Sequence, residues 1–88
     1  MHNTIKETLL RQPAYTLELV KSHDDAGEAC HAFVLYPAVN GCHSAQSEGI
    51  NLLMGRGHDV SRRDMHYALY LFQRFHLNHA NASQVVHG

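Results

Sequence analysis

The chain has no tryptophan, only two prolines and two cysteines, and almost no net charge. Each shortage excludes something. Cys30 and Cys42 alone cannot build the disulfide framework that staples small secreted domains, so stability has to come from an apolar core. A net charge of −1 with neutral histidines gives no bulk attraction to nucleic acid or anionic membrane, and any such role needs a local patch. No stretch approaches the roughly 18 consecutive apolar residues of a membrane span, and no basic start leads into an apolar signal segment. The expectation is a cytoplasmic protein with no membrane contact.

What is present is the composition of a folded chain: 44% hydrophobic and 17% charged residues. At 88 residues this is one domain with a core a single layer deep, ordered over about 4–78 and frayed over 79–88. Histidine is the one excess. Protonating all nine would carry the net charge to about +8, although most of these positions read as solvated.

The organising stretch runs from Ser61 to about Asn78. Met65, Ala68, Leu69, Phe72, Phe75 and His76 recur at spacings of three and four and so share one helical face. Ser61, with Asp64 three residues on, marks the start as an N-cap with a carboxylate at the positive end. Everything upstream reads as material for that face to pack against.

Thr4 to Glu7 has the spacing of a capping box, predicting a short first helix with Ile5, Leu9 and Leu10 on one side, ended by Pro13. From Ala14 to Lys21 the period changes: Tyr15, Leu17 and Leu19 alternate with Thr16, Glu18 and Val20 as in a half-buried strand. A polar turn, His23 to Glu28, leads into the apolar run Cys30 to Tyr36, a central strand that Pro37 should end. Asn40-Gly41 signals a tight turn, and Cys42 to Gly49 reads as loop. Ile50 to Arg56 suits a third strand, since Ile50, Leu52 and Met54 alternate, but Ile50, Leu53 and Met54 also fit a helical turn. The expected fold is α+β: a short N-terminal helix, a three-stranded antiparallel sheet, and a long C-terminal helix on one sheet face. The other face is left to water or a partner.

Opposite the core face of the long helix, Arg63, Tyr67, Tyr70 and Arg74 line up, with Arg62 and His66 beside them and Leu71 and Leu77 at the edges. Tyrosine and arginine are enriched at the energetic centres of interfaces, so Arg62, Arg63, Tyr67, Tyr70, Leu71 and Arg74 form a candidate surface for a protein partner or a second copy of the chain. The plain alternative is arginines merely stacked on tyrosines over a solvated face. The same stripe offers cations to phosphates and rings to unpaired bases, which makes Arg56, Arg62, Arg63 and Arg74 a candidate nucleic-acid site.

Helix, three strands and helix is also the element order of double-stranded RNA-binding domains. Pro13-Ala14-Tyr15 resembles the Pro-x-Tyr that opens their first strand. Gly55-Arg56-Gly57 followed by Ser61-Arg62-Arg63 resembles their glycine loop and the basic start of their last helix. The resemblance implies phosphate contacts from that helix start. Against the pattern, two extra residues precede Ser61, Leu69 and Tyr70 stand where the family favours alanine, and His66 replaces a basic residue.

Cys30-His31 and Cys42-His43 repeat a dipeptide, but not at zinc-finger spacing, and neighbours on a strand point to opposite faces. Cys30 is expected to be a small buried hydrophobe and Cys42 an exposed thiol. His76 and His79 are expected to meet the negative end of the long helix rather than a metal. With no nucleophile on a strained turn and no phosphate-cradling loop, no catalytic residue, metal or cofactor is expected. The function expected is that of a small non-enzymatic regulator or adaptor.

Overall fold

The computed structural model describes residues 4–43 and 48–87, with side chains as far as Asn78. Four strands, β1 (Ile5–Arg11), β2 (Tyr15–His23), β3 (Ala29–Pro37) and β4 (Ile50–Arg56), precede one helix, α1 (Arg62–His87). The strands form a single antiparallel sheet in chain order, β1-β2-β3-β4. The sheet is thus four-stranded rather than three-stranded, and the N-terminal helix is absent. The α+β class stands.

The segment expected to be that first helix is strand β1. Its adjacent Leu9 and Leu10 explain the misreading, because two neighbouring apolar residues fit a helical face and break strand alternation. The structure resolves this with a β-bulge: Thr8 pairs with Glu18 and Leu10 with Leu17, leaving Leu9 extra, and both leucines pack on the core. A helix of this length would have gained little on its own, whereas the strand gains a full ladder with β2. Pro13 does not end a helix. It sits in a two-residue hairpin turn closed by Gln12 and Tyr15, whose backbones exchange hydrogen bonds of 2.7 and 3.3 Å.

The β2–β3 pairing is continuous, from Tyr15 opposite Pro37 to His23 opposite Ala29. Its turn is held by Asp24, whose carboxylate accepts from the amides of Ala26 (3.0 Å) and Glu28 (2.9 Å), with Gly27 at positive φ. Ile50–Arg56 is a strand, and it too carries a bulge. Leu53 pairs with Phe33 and Asn51 with Val34, so Leu52 is extra and stays on the core side with Leu53.

Alternation sends Leu17 and Leu19 of β2 and Phe33 and Leu35 of β3 to one sheet face, where Ala68 and Phe72 of α1 cover them. Met65, Leu69 and Phe75 pack around this centre, as the helical spacing predicts. The start of α1 is the expected cap: Ser61 Oγ accepts from the Asp64 amide at 3.0 Å, and the Met65 amide bonds the Ser61 carbonyl at 3.0 Å. Replacing that hydroxyl, Ser61→Ala, is expected to cost about 1 kcal/mol, visible as a lower midpoint in thermal melts. Beyond Asn78 the helix backbone continues to His87.

The opposite sheet face is not left wholly to water. His43, just after the Val39–Cys42 turn with Asn40 at φ 53° and Gly41 at φ 75°, and Gly49 both lie against it. Thr16, 1% exposed, shares a 3.0 Å hydrogen bond with His43 Nδ1, and Gly49 lies against Val34 and Tyr36.

Candidate protein-binding surface

Two exposed groups of residues meet along one flank of the molecule: the outward stripe of α1 and the free edge of β4. In the stripe, Tyr67 and Tyr70 are each about half exposed, and their rings stack at 6.3 Å with planes 16° apart. Arg74 lies one turn past Tyr70 and donates from Nη1 to its hydroxyl at 3.0 Å. Two rings and a guanidinium are therefore ordered before any partner arrives, which lowers the entropy lost on binding.

The flank of the helix nearest β4 forms two grooves against that strand. The groove toward the helix start is lined by Leu53, Arg63, Asp64, His66 and Tyr67. The other is lined by Asn51, Leu52, Leu71, Arg74, Phe75 and Asn78. Of the six residues expected to bind a partner, Arg63, Tyr67, Leu71 and Arg74 line these grooves. Tyr70 joins them through its stack on Tyr67 and its bond to Arg74. Arg62 is exposed in the first turn of α1, and Arg56, from the nucleic-acid set, is at the end of β4.

The β4 edge is the part that the sequence reading missed. Among the described residues β4 has a strand neighbour on one side only, and its exposed side chains include Ile50 and Met54, the latter 68% exposed. Edge strands are usually guarded by charge or proline. β1, at the other edge, carries Lys6, Glu7 and Arg11, whereas β4 has no charge before Arg56. The signal was legible as an uncharged run, Ile50 to Gly55, but whether a strand lies at an edge is decided by pairing order.

The histidines differ from expectation. Only His66 is exposed among those with described side chains; His23, His43, His58 and His76 are half-buried, and His31 is 4% exposed. His31 Nδ1 donates to the Gly57 carbonyl at 2.7 Å, and its Nε2 is buried without a hydrogen-bond partner over Gly55. His58 Nε2 donates to the Ser22 carbonyl at 3.0 Å, and its ring meets His23 edge-on at 5.0 Å. Together these rings clamp the β4–α1 connection onto the sheet. His76 is not at the helix end; its ring stacks on Phe72 and meets Tyr15 edge-on, while the side chain of His79 lies outside the described residues.

Cys30 is half-buried, its sulfur 3.4 Å from Ser22 Oγ, and Cys42 is exposed; neither is in a disulfide. Among the described residues, no three of histidine, cysteine, aspartate and glutamate are grouped to hold a metal ion. Among the same residues, no helix is long and apolar enough to cross a membrane.

The chain matches no protein-family model, and no curated protein or solved structure matches it either. The element order behind the resemblance to double-stranded RNA-binding domains is not present, because a strand takes the place of their first helix.

Proposed function

We propose that this chain is a small non-enzymatic regulator or adaptor that binds a protein through the exposed flank of α1. Tyr67 and Tyr70 supply the contact area, Leu71 extends it, and Arg63 and Arg74 supply charge-assisted hydrogen bonds. The observation that carries this reading is the half-exposed Tyr67–Tyr70 stack fixed by Arg74 beside an uncharged strand edge. A folded monomer has no need of two ordered outward tyrosines. A cytoplasmic setting fits two cysteines held as thiols.

Tyr70→Ala is the direct test. Stability should stay within about 0.5 kcal/mol of wild type, because the ring is not in the core. Self-association by sedimentation, or capture of a partner, should weaken about tenfold or more, as for an interface anchor. Unchanged association with an unchanged fold would remove the stripe from the site.

The second reading is a nucleic-acid module using Arg56, Arg62, Arg63 and Arg74, favoured by stacked rings set among cations. It requires binding to short duplex or single-stranded probes that falls steeply with salt, with a flatter salt slope in Arg63→Ala. The protein-binding reading expects no such slope.

A further inference from the structure

The open edge of β4 suggests what docks on this flank, an inference that rests on the reading of the flank as a protein-binding surface. We propose that the occupant is a second copy of the chain. Its β4 pairs antiparallel with β4 of the first about a two-fold axis between Leu52 and Leu53, joining the two sheets into one.

Hydrogen-bond phase identifies the backbone groups that are free to pair. The Gly57 amide donates to the Ala29 carbonyl at 2.7 Å, one step beyond the pairing of Cys30 with Arg56. Bonded and non-bonded pairs alternate along an antiparallel ladder. Gly55 and Leu53 therefore bond inward to β3, while Arg56 and Met54 turn their N–H and C=O groups toward the open edge. Beyond the bulge at Leu52 the phase resumes with Ile50 inward and Asn51 outward. Asn51, Met54 and Arg56 present the unpaired donors and acceptors.

One register makes this edge complementary to itself. Turned about an axis between Leu52 and Leu53, Asn51 of one copy lies opposite Met54 of the other. Both belong to the sheet face away from α1, since they pair with Val34 and Ala32 of β3. Ile50 falls opposite Gly55, which has no side chain to obstruct it. The two bulges meet at the axis, so neither strand is longer than its mate there. Shifting the register by one residue would set Ile50 against Met54, which point to opposite faces.

The helix flank agrees with the same axis. One groove holds Leu53 with Asp64 and the other holds Leu52 with Arg74, so the rotation lays each groove over its opposite. Asp64 of one copy is brought toward Arg74 of the second, and Tyr67 toward Leu71. A second copy supplies this opposition of Asp64 to Arg74 by symmetry, with Arg63 and His66 beside the acid in the same groove. The near-zero net charge adds no repulsion between copies.

The test combines sedimentation of the full chain over a concentration series with amide hydrogen exchange, read by NMR, above and below the association midpoint. The expected result is a dimer in which the amides of Asn51, Met54 and Arg56 exchange at least tenfold more slowly than in the monomer, while Leu53 and Gly55 do not change. Met54→Pro removes one outward N–H without touching a β3 bond, which edge strands tolerate. It should weaken the dimer at least tenfold with an unchanged circular dichroism spectrum. If that variant misfolds, exchange in the wild-type chain still decides. A dimer whose Asn51, Met54 and Arg56 amides stay unprotected overturns strand pairing yet leaves the tyrosine stripe as the contact, to be read by Tyr70→Ala. A monomer at every concentration overturns the second copy as occupant, and only partner capture sensitive to Tyr70→Ala would then sustain the protein-binding reading.

Discussion

Phe72→Ala should cost about 3–5 kcal/mol in urea unfolding, the range for removing a buried phenylalanine. Phe72 is 1% exposed on α1 and belongs to the cluster of Leu17, Leu19, Phe33, Leu35 and Ala68. Its ring also stacks on His76 at 6.5 Å, so truncation unseats a second ring. The void cannot close easily, because the residues around it are anchored in two strands paired without interruption. Domains are stable by about 0.05–0.15 kcal/mol per residue, roughly 4–13 kcal/mol for a chain of this size. The loss would be a large part of that. Two residues earlier, Tyr70→Ala should cost almost nothing, and this contrast tests the assignment of helix faces. Equal losses for the two variants would reverse it.

Gly55→Ala is expected to cost about 1–3 kcal/mol through overpacking, measured by thermal or urea melts. A Cβ at Gly55 would lie 2.6 Å from His31 Nε2 and 2.7 Å from Cε1. Such contacts are tolerable when the neighbour is a loose side-chain end. His31 is not loose: it is buried, its Nδ1 is bonded to the Gly57 carbonyl at 2.7 Å, and its ring meets Phe33 edge-on. Either that hydrogen bond breaks, adding about 1 kcal/mol, or β4 moves away from β3. Gly41→Ala is the control for backbone effects alone. Nothing lies within 4 Å of a Cβ there, and its φ of 75° makes the cost one of conformation, about 1–2 kcal/mol. A Gly55→Ala protein as stable as wild type would mean that His31 is free to yield and that the clamp over Gly57 is weak.

The sequence was most legible where one period governed a long stretch. The spacing from Met65 to Phe75 gave the helix and its buried face, and Ser61 gave its start. Leu17 and Leu19 gave β2, and the apolar run through Phe33 gave β3. Reading failed at the first strand, and stayed open between strand and helix at Ile50–Met54, where two periods competed over few residues. Leu9-Leu10 and Leu52-Leu53 are adjacent pairs that strict alternation would split between faces, and in both strands a bulge keeps them together. No local pattern announces a bulge, because it is a compromise between two paired strands. The six candidate residues on α1 followed from helix geometry, and five of them are joined in space. The edge of β4, the burial of His31 and the contact of His43 with Thr16 depend on which elements become neighbours. They required the fold.

Because strand order equals chain order, every strand pairs with the one just made and can zip up as a local hairpin within microseconds. The cover comes from elsewhere: Phe72 must return to Leu17 from 55 positions downstream. The sheet can therefore assemble before α1 covers it. In that interval Leu17, Leu19, Phe33 and Leu35 form an open apolar plate bounded by an uncharged strand. A chain stopped short of Ala68 would keep that plate open permanently, a substrate for chaperones or for aggregation rather than a smaller version of the protein.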